Sequence, residues 1–166
     1  LQAYDKAVEL KPTDPNNWIS MGWALNGQGK YDETLEAFDK AIELKPTEPS
    51  YWTARGSALA SLGRQNESLQ AYDKAIELKP NDPNNWISMG WALNGLGKYN
   101  ETLEAFDKAI DLKPTEPSYW TARASALASL GRLTESLQAY DKAVELKPTD
   151  PNNWISKGWA LNGLRS

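Results

Sequence analysis

The sequence contains no cysteine and no histidine. Without cysteine there is no disulfide framework, no thiolate nucleophile and no zinc-thiolate site. Without histidine the commonest general base and the commonest transition-metal ligand are gone. No apolar run approaches the ~20 residues of a membrane-spanning helix. The chain enters directly into LQAYDKAVEL with no leader pattern, so the expected location is the cytoplasm. Eighteen Lys and Arg stand against 22 Asp and Glu, a net charge of −4. That balance lacks the clustered basic surface of a nucleic-acid binder. There is no glycine-rich phosphate loop, nucleophile elbow or metal-ligand cluster. The carboxylates recur at a fixed interval, as at Asp39, Asp73 and Asp107, which is how a solvated face reads. The expectation is therefore no enzyme, no catalytic residue, no cofactor and no metal, with neither nucleic acid nor membrane as a partner.

Tryptophan is abundant instead, with eight in 166 residues, and a repeat places most of them. AFDKAIELKP (Ala37 to Pro46) returns from Ala71, Ala105 and Ala139, a step of 34 residues. Trp18, Trp52, Trp86, Trp120 and Trp154 keep the same step. A period of 68 is superimposed: type a units read PNNWISMGWALNGxGKY from Pro15 and Pro83, truncated from Pro151, and type b units read PSYWTARxSALASLGR from Pro49 and Pro117. Exchanges between the two 68-residue copies are mild, such as Val8/Ile76, Glu43/Asp111 and Gly56/Ala124. Duplication of a two-hairpin cassette gives this pattern; so does a consensus design.

Within a type a unit, Trp18, Met21, Gly22 and Leu25 form the i, i+3, i+4, i+7 stripe of a helix A. Asp14 and Pro15 supply an N-cap and a first-turn proline, and Gly27 and Gly29 end the helix. A helix B follows with Leu35, Phe38, Ala41 and Ile42 on one stripe and Asp32, Asn66, Asn100 or Thr134 expected as its N-cap. Lys45-Pro46 stops it. One hairpin cannot bury both stripes, so hairpins must stack, with Gly22, Gly90, Ala41 and Ala109 as close crossings. Trp18 and its equivalents read as core. The sequons at Asn66-Glu67-Ser68 and Asn100-Glu101-Thr102 read as chance matches that cap helices. Arg55 and Arg123 interrupt the apolar stripe; each either pairs with an aspartate such as Asp39 or Asp73 or contacts a ligand.

These residues resemble the tetratricopeptide repeat, whose pattern W-x2-L-G-x2-Y…A-x3-F…P is met by Trp18, Met21, Gly22, Leu25, Thr34, Phe38, Ala41 and Pro46. The departures are Met or Arg for the first Leu, Leu for the first Tyr, and Thr or Ser for the first Ala. The resemblance covers the chain as a helix B (1–14), four units (15–48, 49–82, 83–116 and 117–150) and a terminal helix A read as a cap (151–166). It implies an all-α, right-handed superhelical α-solenoid whose concave wall is made by the A helices, in a protein that binds other proteins or peptides.

The resemblance also places the groove on the A helices, off the packing stripe. In type a units those positions hold Asn16, Ile19, Ser20, Trp23 and Asn26, then Asn84, Ile87, Ser88, Trp91 and Asn94, with Trp159 in the last helix. In type b units they include Thr53, Ser57, Thr121 and Ser125. This is a nearly uncharged ladder of Trp and Asn alternating with small hydroxyl-bearing steps. The Lys of the family's C-terminal carboxylate clamp is missing from these faces, so that clamp is rejected. The ladder suits an extended, apolar or uncharged peptide: Asn bonds its backbone and indole faces take apolar or proline side chains. Trp23 and Trp91 either serve as that platform or pack over Ser57, Ala60 and Ser125; one exposed face would do both. The array opens on a helix B and closes on a helix A in which Lys157 replaces Met21/Met89 as a solvating cap. The expectation is a C-terminus near Ser166 and an N-terminus cut from a longer array. Exposed ends make head-to-tail self-association the alternative function.

Overall fold

In the computed structural model, residues 1–163 are described, and they form ten α-helices with no strand among them. The tail Leu164-Arg165-Ser166, with the C-terminus expected there, lies outside the described residues. Two compact units divide the chain, residues 1–80 and 81–166. The first holds α1 (Gln2–Leu10), α2 (Pro15–Asn26), α3 (Tyr31–Leu44), α4 (Pro49–Ser61) and α5 (Gln65–Leu78). The second holds α6 (Pro83–Gly95), α7 (Tyr99–Leu112), α8 (Pro117–Ser129), α9 (Leu133–Leu146) and α10 (Pro151–Gly163). The pairs α2–α3 and α6–α7 are the type a hairpins, and α4–α5 and α8–α9 are type b. Among the described residues no helix is long and apolar enough to cross a membrane.

The A helices begin as their sequence dictates. Asp14 accepts a hydrogen bond from the Asn16 amide at 3.0 Å, and Asp82 and Asp150 do the same for Asn84 and Asn152 at 3.1 and 3.0 Å. Proline follows each at the first helical position, where no amide is needed. The turn into helix B uses Gly29, at φ 73°, a left-handed conformation that suits glycine. Gly27, also expected as a terminator, keeps a right-handed φ of −63° and needs no special freedom.

The expected caps of helix B are corrected. The N-cap residues are Lys30, Arg64, Lys98 and Arg132, none of which makes a side-chain cap bond. Asp32, Asn66, Asn100 and Thr134 lie one position inside the first helical residue, where Asp32 still complements the positive end of the helix dipole. The sequon hydroxyls are likewise not caps. Ser68 is fully buried and donates to the Gly56 carbonyl at 2.8 Å, whereas Thr102 donates to Lys98 at 3.0 Å within its own turn.

Each hairpin closes on a small residue under an aromatic ring. Phe38 and Phe106 are fully buried, and a Cβ at Gly22 or Gly90 would collide with their rings. Ala41 and Ala109 are also fully buried at the crossing to the next hairpin, against Tyr51 and Tyr119. Trp18, Trp52 and Trp120 are half-buried and pack against the edge of the core. Their indole N–H groups donate to the carbonyls of Pro12, Pro46 and Pro114 at 2.8 Å, tying each A helix to the turn before it. Trp154 makes the same bond at 2.9 Å and is 50% exposed.

The stripe cations are settled by geometry. Arg55 donates to Asp39 and Arg123 to Asp107, both at 2.6 Å. Lys157 stands at the same register and reaches Asp141 at 2.6 Å while lying over the Trp154 ring. The last A helix therefore carries the cation of a type b unit in a type a framework.

Candidate functional site

A groove with a volume of about 430 Å³ lies within residues 81–163. Three A helices supply it: Trp91 from α6, Thr121, Ala122 and Ser125 from α8, and Asn153, Ser156 and Trp159 from α10. Trp91 is 48% exposed and Trp159 72% exposed, so both indoles offer open surface beside a floor of small residues. A recess of about 350 Å³ extends the groove under Ser125, Ala128 and Ser156 toward Leu133.

Of the residues expected to bind, the groove gathers Trp91, Thr121, Ser125 and Trp159. The Thr121 hydroxyl lies 3.1 Å from the Pro117 carbonyl and 3.3 Å from Asn153 Oδ1. Ile87 is half-buried and packs against the cores of α6–α7 and α8–α9. Ile19 does the same in the first unit, so both isoleucines serve packing. Asn84 Oδ1 accepts from the Tyr119 hydroxyl at 3.0 Å; Ser88 and Asn94 are half-buried on the same helix.

Residues 1–80 repeat these placements. Trp23 is 48% exposed and sets its edge on Phe38, ring centroids 5.2 Å apart, as Trp91 does on Phe106. Each Trp thus packs on its own hairpin with one part and stays open with the other. Asn16 Oδ1 accepts from Tyr51 at 3.1 Å, and Ser20 donates to the Asn16 carbonyl at 2.8 Å. Asn26 Oδ1 is buried without a hydrogen-bond partner. Thr53 bonds the Pro49 carbonyl at 3.1 Å, and Ser57 bonds both the Thr53 carbonyl and the Tyr72 hydroxyl.

Several residues of the groove fall outside the A-helix positions read from sequence. Tyr140 comes from helix B. Asn153 is buried and clasps the end of α9, its amide donating to the carbonyls of Ala143 and Lys147 at 3.2 and 3.4 Å. The turns add Glu116, Lys147 and Asp150. The groove is thus not free of charge, and a lysine does line it, but these charges are matched locally. Lys147 sits 3.2 Å from Asp150. The Asn152 amide, and then Lys147, hold the Asp150 carboxyl below its ordinary range. Lys113 does the same for Glu116, with Ser118 helping. Among the described residues no cluster of acidic side chains is placed to hold a metal.

Repeated helical hairpins of this kind define an all-α helical-repeat protein. The chain belongs to the tetratricopeptide repeat family, which it matches over residues 11–158. Solved structures of the same fold include MamA from Desulfovibrio magneticus RS-1 (residues 41 to the end), 22% identical with a TM-score of 0.82 over 90% of this chain and 84% of that one. TTC0263, a thermophilic tetratricopeptide repeat protein of Thermus thermophilus, is 21% identical, with a TM-score of 0.80 over 95% and 87%. YrrB, a tetratricopeptide repeat protein with an unusual peptide-binding site, is 20% identical, with a TM-score of 0.75 over 95% and 81%. No curated protein matches the sequence.

Proposed function

We propose that the chain is a protein-interaction scaffold that takes an extended, apolar or uncharged peptide segment into the groove of α6, α8 and α10. The observation that carries this reading is the pair of open indoles, Trp91 and Trp159, flanking a floor of Thr121, Ala122 and Ser125. Membership of a family of protein-interaction repeats supports it, as does the peptide-binding site of YrrB on the same fold. The charges around the groove are already paired with one another, which favours a ligand that brings none. Trp23, Asn16, Ser20, Asn26, Thr53 and Ser57 form the corresponding face in residues 1–80, with Asn84, Ser88 and Asn94 completing the second.

A ligand covering half of the exposed indole surface removes roughly 120 Å² from water, worth about 3 kcal/mol at ~25 cal/mol/Å². Peptides selected on the chain from a random dodecapeptide library should therefore bind a Trp91→Ala/Trp159→Ala variant about 100-fold more weakly by calorimetry. Equal affinity for both proteins would assign the indoles to packing alone. Head-to-tail self-association is the second reading, supported by the exposed Trp154, Ile155 and Leu161 of α10. Growth of particles with concentration, with no peptide retained, would replace the scaffold by that array.

A further inference from the structure

The helices α4 and α8 read PSYWTARGSALAS and PSYWTARASALAS and differ only at Gly56/Ala124. In the first, Gly56 lies flat beneath Tyr72: a Cβ there would stand 2.7 Å from ring Cε1 and 2.9 Å from Cδ1. The ring settles close enough for its hydroxyl to meet Ser57 Oγ at 3.2 Å. Ser57 gives its own proton to the Thr53 carbonyl at 3.0 Å, so Tyr72 is the donor and the pair satisfies itself.

In the second hairpin the methyl of Ala124 is fully buried at that crossing, and Tyr140 must stand off from it. No hydrogen bond joins Tyr140 to Ser125 or to any other described residue. Tyr140 is 7% exposed and yet lines the groove. Ser125 is exposed where Ser57 is half-buried. A phenol more than nine-tenths buried, whose hydroxyl opens on the groove and bonds to no described residue, offers a fixed donor that a ligand can engage in place of solvent.

We propose that Ala124 is a specificity-determining residue: its methyl releases the Tyr140 and Ser125 hydroxyls from each other, and the groove of residues 81–163 uses them to hydrogen-bond the backbone of a bound peptide. Tyr140 donates to a peptide carbonyl and Ser125 accepts from a peptide N–H, between the indoles of Trp91 and Trp159. The α4–α5 hairpin keeps its tyrosine for itself. This rests on the peptide-groove reading above.

The probe is a synthetic peptide selected from a random dodecapeptide library on the 166-residue chain. Tyr140→Phe places there the residue that type a units already carry at Phe38 and Phe106, so folding is kept. Its affinity for the peptide should fall about 3- to 10-fold, the loss of one hydrogen bond. Ala124→Gly should lose as much, and a crystal structure of that variant should bring Tyr140 Oη within hydrogen-bond distance of Ser125 Oγ. Tyr72→Phe should bind as wild type. If Trp91→Ala/Trp159→Ala loses the peptide while Tyr140→Phe and Ala124→Gly bind it normally, the groove stands and this inference falls. If the double Trp variant keeps the peptide, or the library yields none, the groove reading fails and takes this one with it. A Tyr140 that stays apart from Ser125 in Ala124→Gly overturns the steric cause.

Discussion

In α2–α3 the hairpin closes on Gly22 beneath the buried Phe38, with Trp23 set edge-on against the same ring. Its Thr34 hydroxyl turns back to Lys30 within its own helix. In α4–α5 the ring is Tyr72, its bond to Ser57 ties hydroxyl to hydroxyl, and Ser68 reaches across to the Gly56 carbonyl. Arg55 then links the hairpin to Asp39 of α3. Both hairpins thus close on a packed ring, and type b adds polar bonds across the crossing. The groove chemistry follows from that difference. A type a helix has a large aromatic neighbour to support an outward indole, whereas a type b helix carries only small side chains there and leaves a low step, its hydroxyls bonded within the hairpin in α4 but with Ser125 exposed in α8. The alternation along the groove is a consequence of two ways of locking a hairpin.

Truncating the ring should unsettle a hairpin most. Phe38→Ala or Phe106→Ala should cost about 3–5 kcal/mol, as truncation of a fully buried aromatic does. Tyr72→Phe deletes only the hydroxyl of a self-satisfied pair and should cost about 0.5–1.5 kcal/mol. Urea unfolding of the three variants measures both. A loss at Tyr72 as large as at Phe38 would mean that the polar bonds of type b, not its packing, hold the hairpin.

This dependence on the ring shows what sequence could and could not convey. The stripe Leu35, Phe38, Ala41, Ile42 and the Asp14-Pro15 start are local patterns, and the helices stand where they point. The helix B cap is less local. A polar residue is favourable both at the cap and just inside it, so residue type cannot separate Lys30 from Asp32; the left-handed Gly29 decides it. Trp91 and Trp159 were legible as outward positions on helix A. Tyr140 was not, because it arrives from helix B, and its freedom depends on a methyl at Ala124. The exchange Gly56/Ala124 was visible, but its consequence appears only once a ring lies over it.

The glycines allow a finer comparison. Gly22→Ala drives a methyl into Phe38 and should cost about 1–3 kcal/mol, the usual penalty of overpacking. Gly56→Ala should stay below about 1 kcal/mol, because Ala124 is buried under Tyr140 at the same place and the ring accommodates it. Equal losses in thermal unfolding would mean that the two rings are held with equal rigidity, which removes the physical basis for treating the hairpins as different.

The ion pairs should matter less. Arg55→Met installs the residue found at Met21 and Met89. Arg55 is 25% exposed and Asp39 47% exposed, so solvent screens the pair and the loss should be at most about 1 kcal/mol. Raising salt should shrink the difference between wild type and variant. A loss of several kcal/mol, insensitive to salt, would instead make Arg55 part of the hairpin core.

The smallest effect concerns the first turn of helix B, where type a carries Lys30 and type b carries Arg64 and Arg132. Arg64 grips Glu67 with two bonds of 2.7 and 2.6 Å, and Arg132 grips Glu135 likewise. Lys30 reaches Glu33 at 3.2 Å with a single ammonium. The arginine hydrogen bonds hold Glu67 and Glu135 below the ordinary glutamate range against an opposing desolvation, with the arginine charge adding to the lowering. A carboxylate depressed in the folded state contributes stability that is whole above its unfolded pKa, near 4.3, and is lost as pH falls through that value to the folded one. Wild type should therefore lose slightly more thermal stability between pH 6 and 3 than Glu67→Gln/Glu135→Gln. Glu48 and Glu116 are depressed too, but they are present in both proteins and cancel in the difference. Arg64→Lys/Arg132→Lys, which gives the type b turn its type a residue, should recover part of the flattening. Identical pH profiles for all three proteins would show that the forked pairs are ornaments of the surface, and that the two hairpins differ only beneath it.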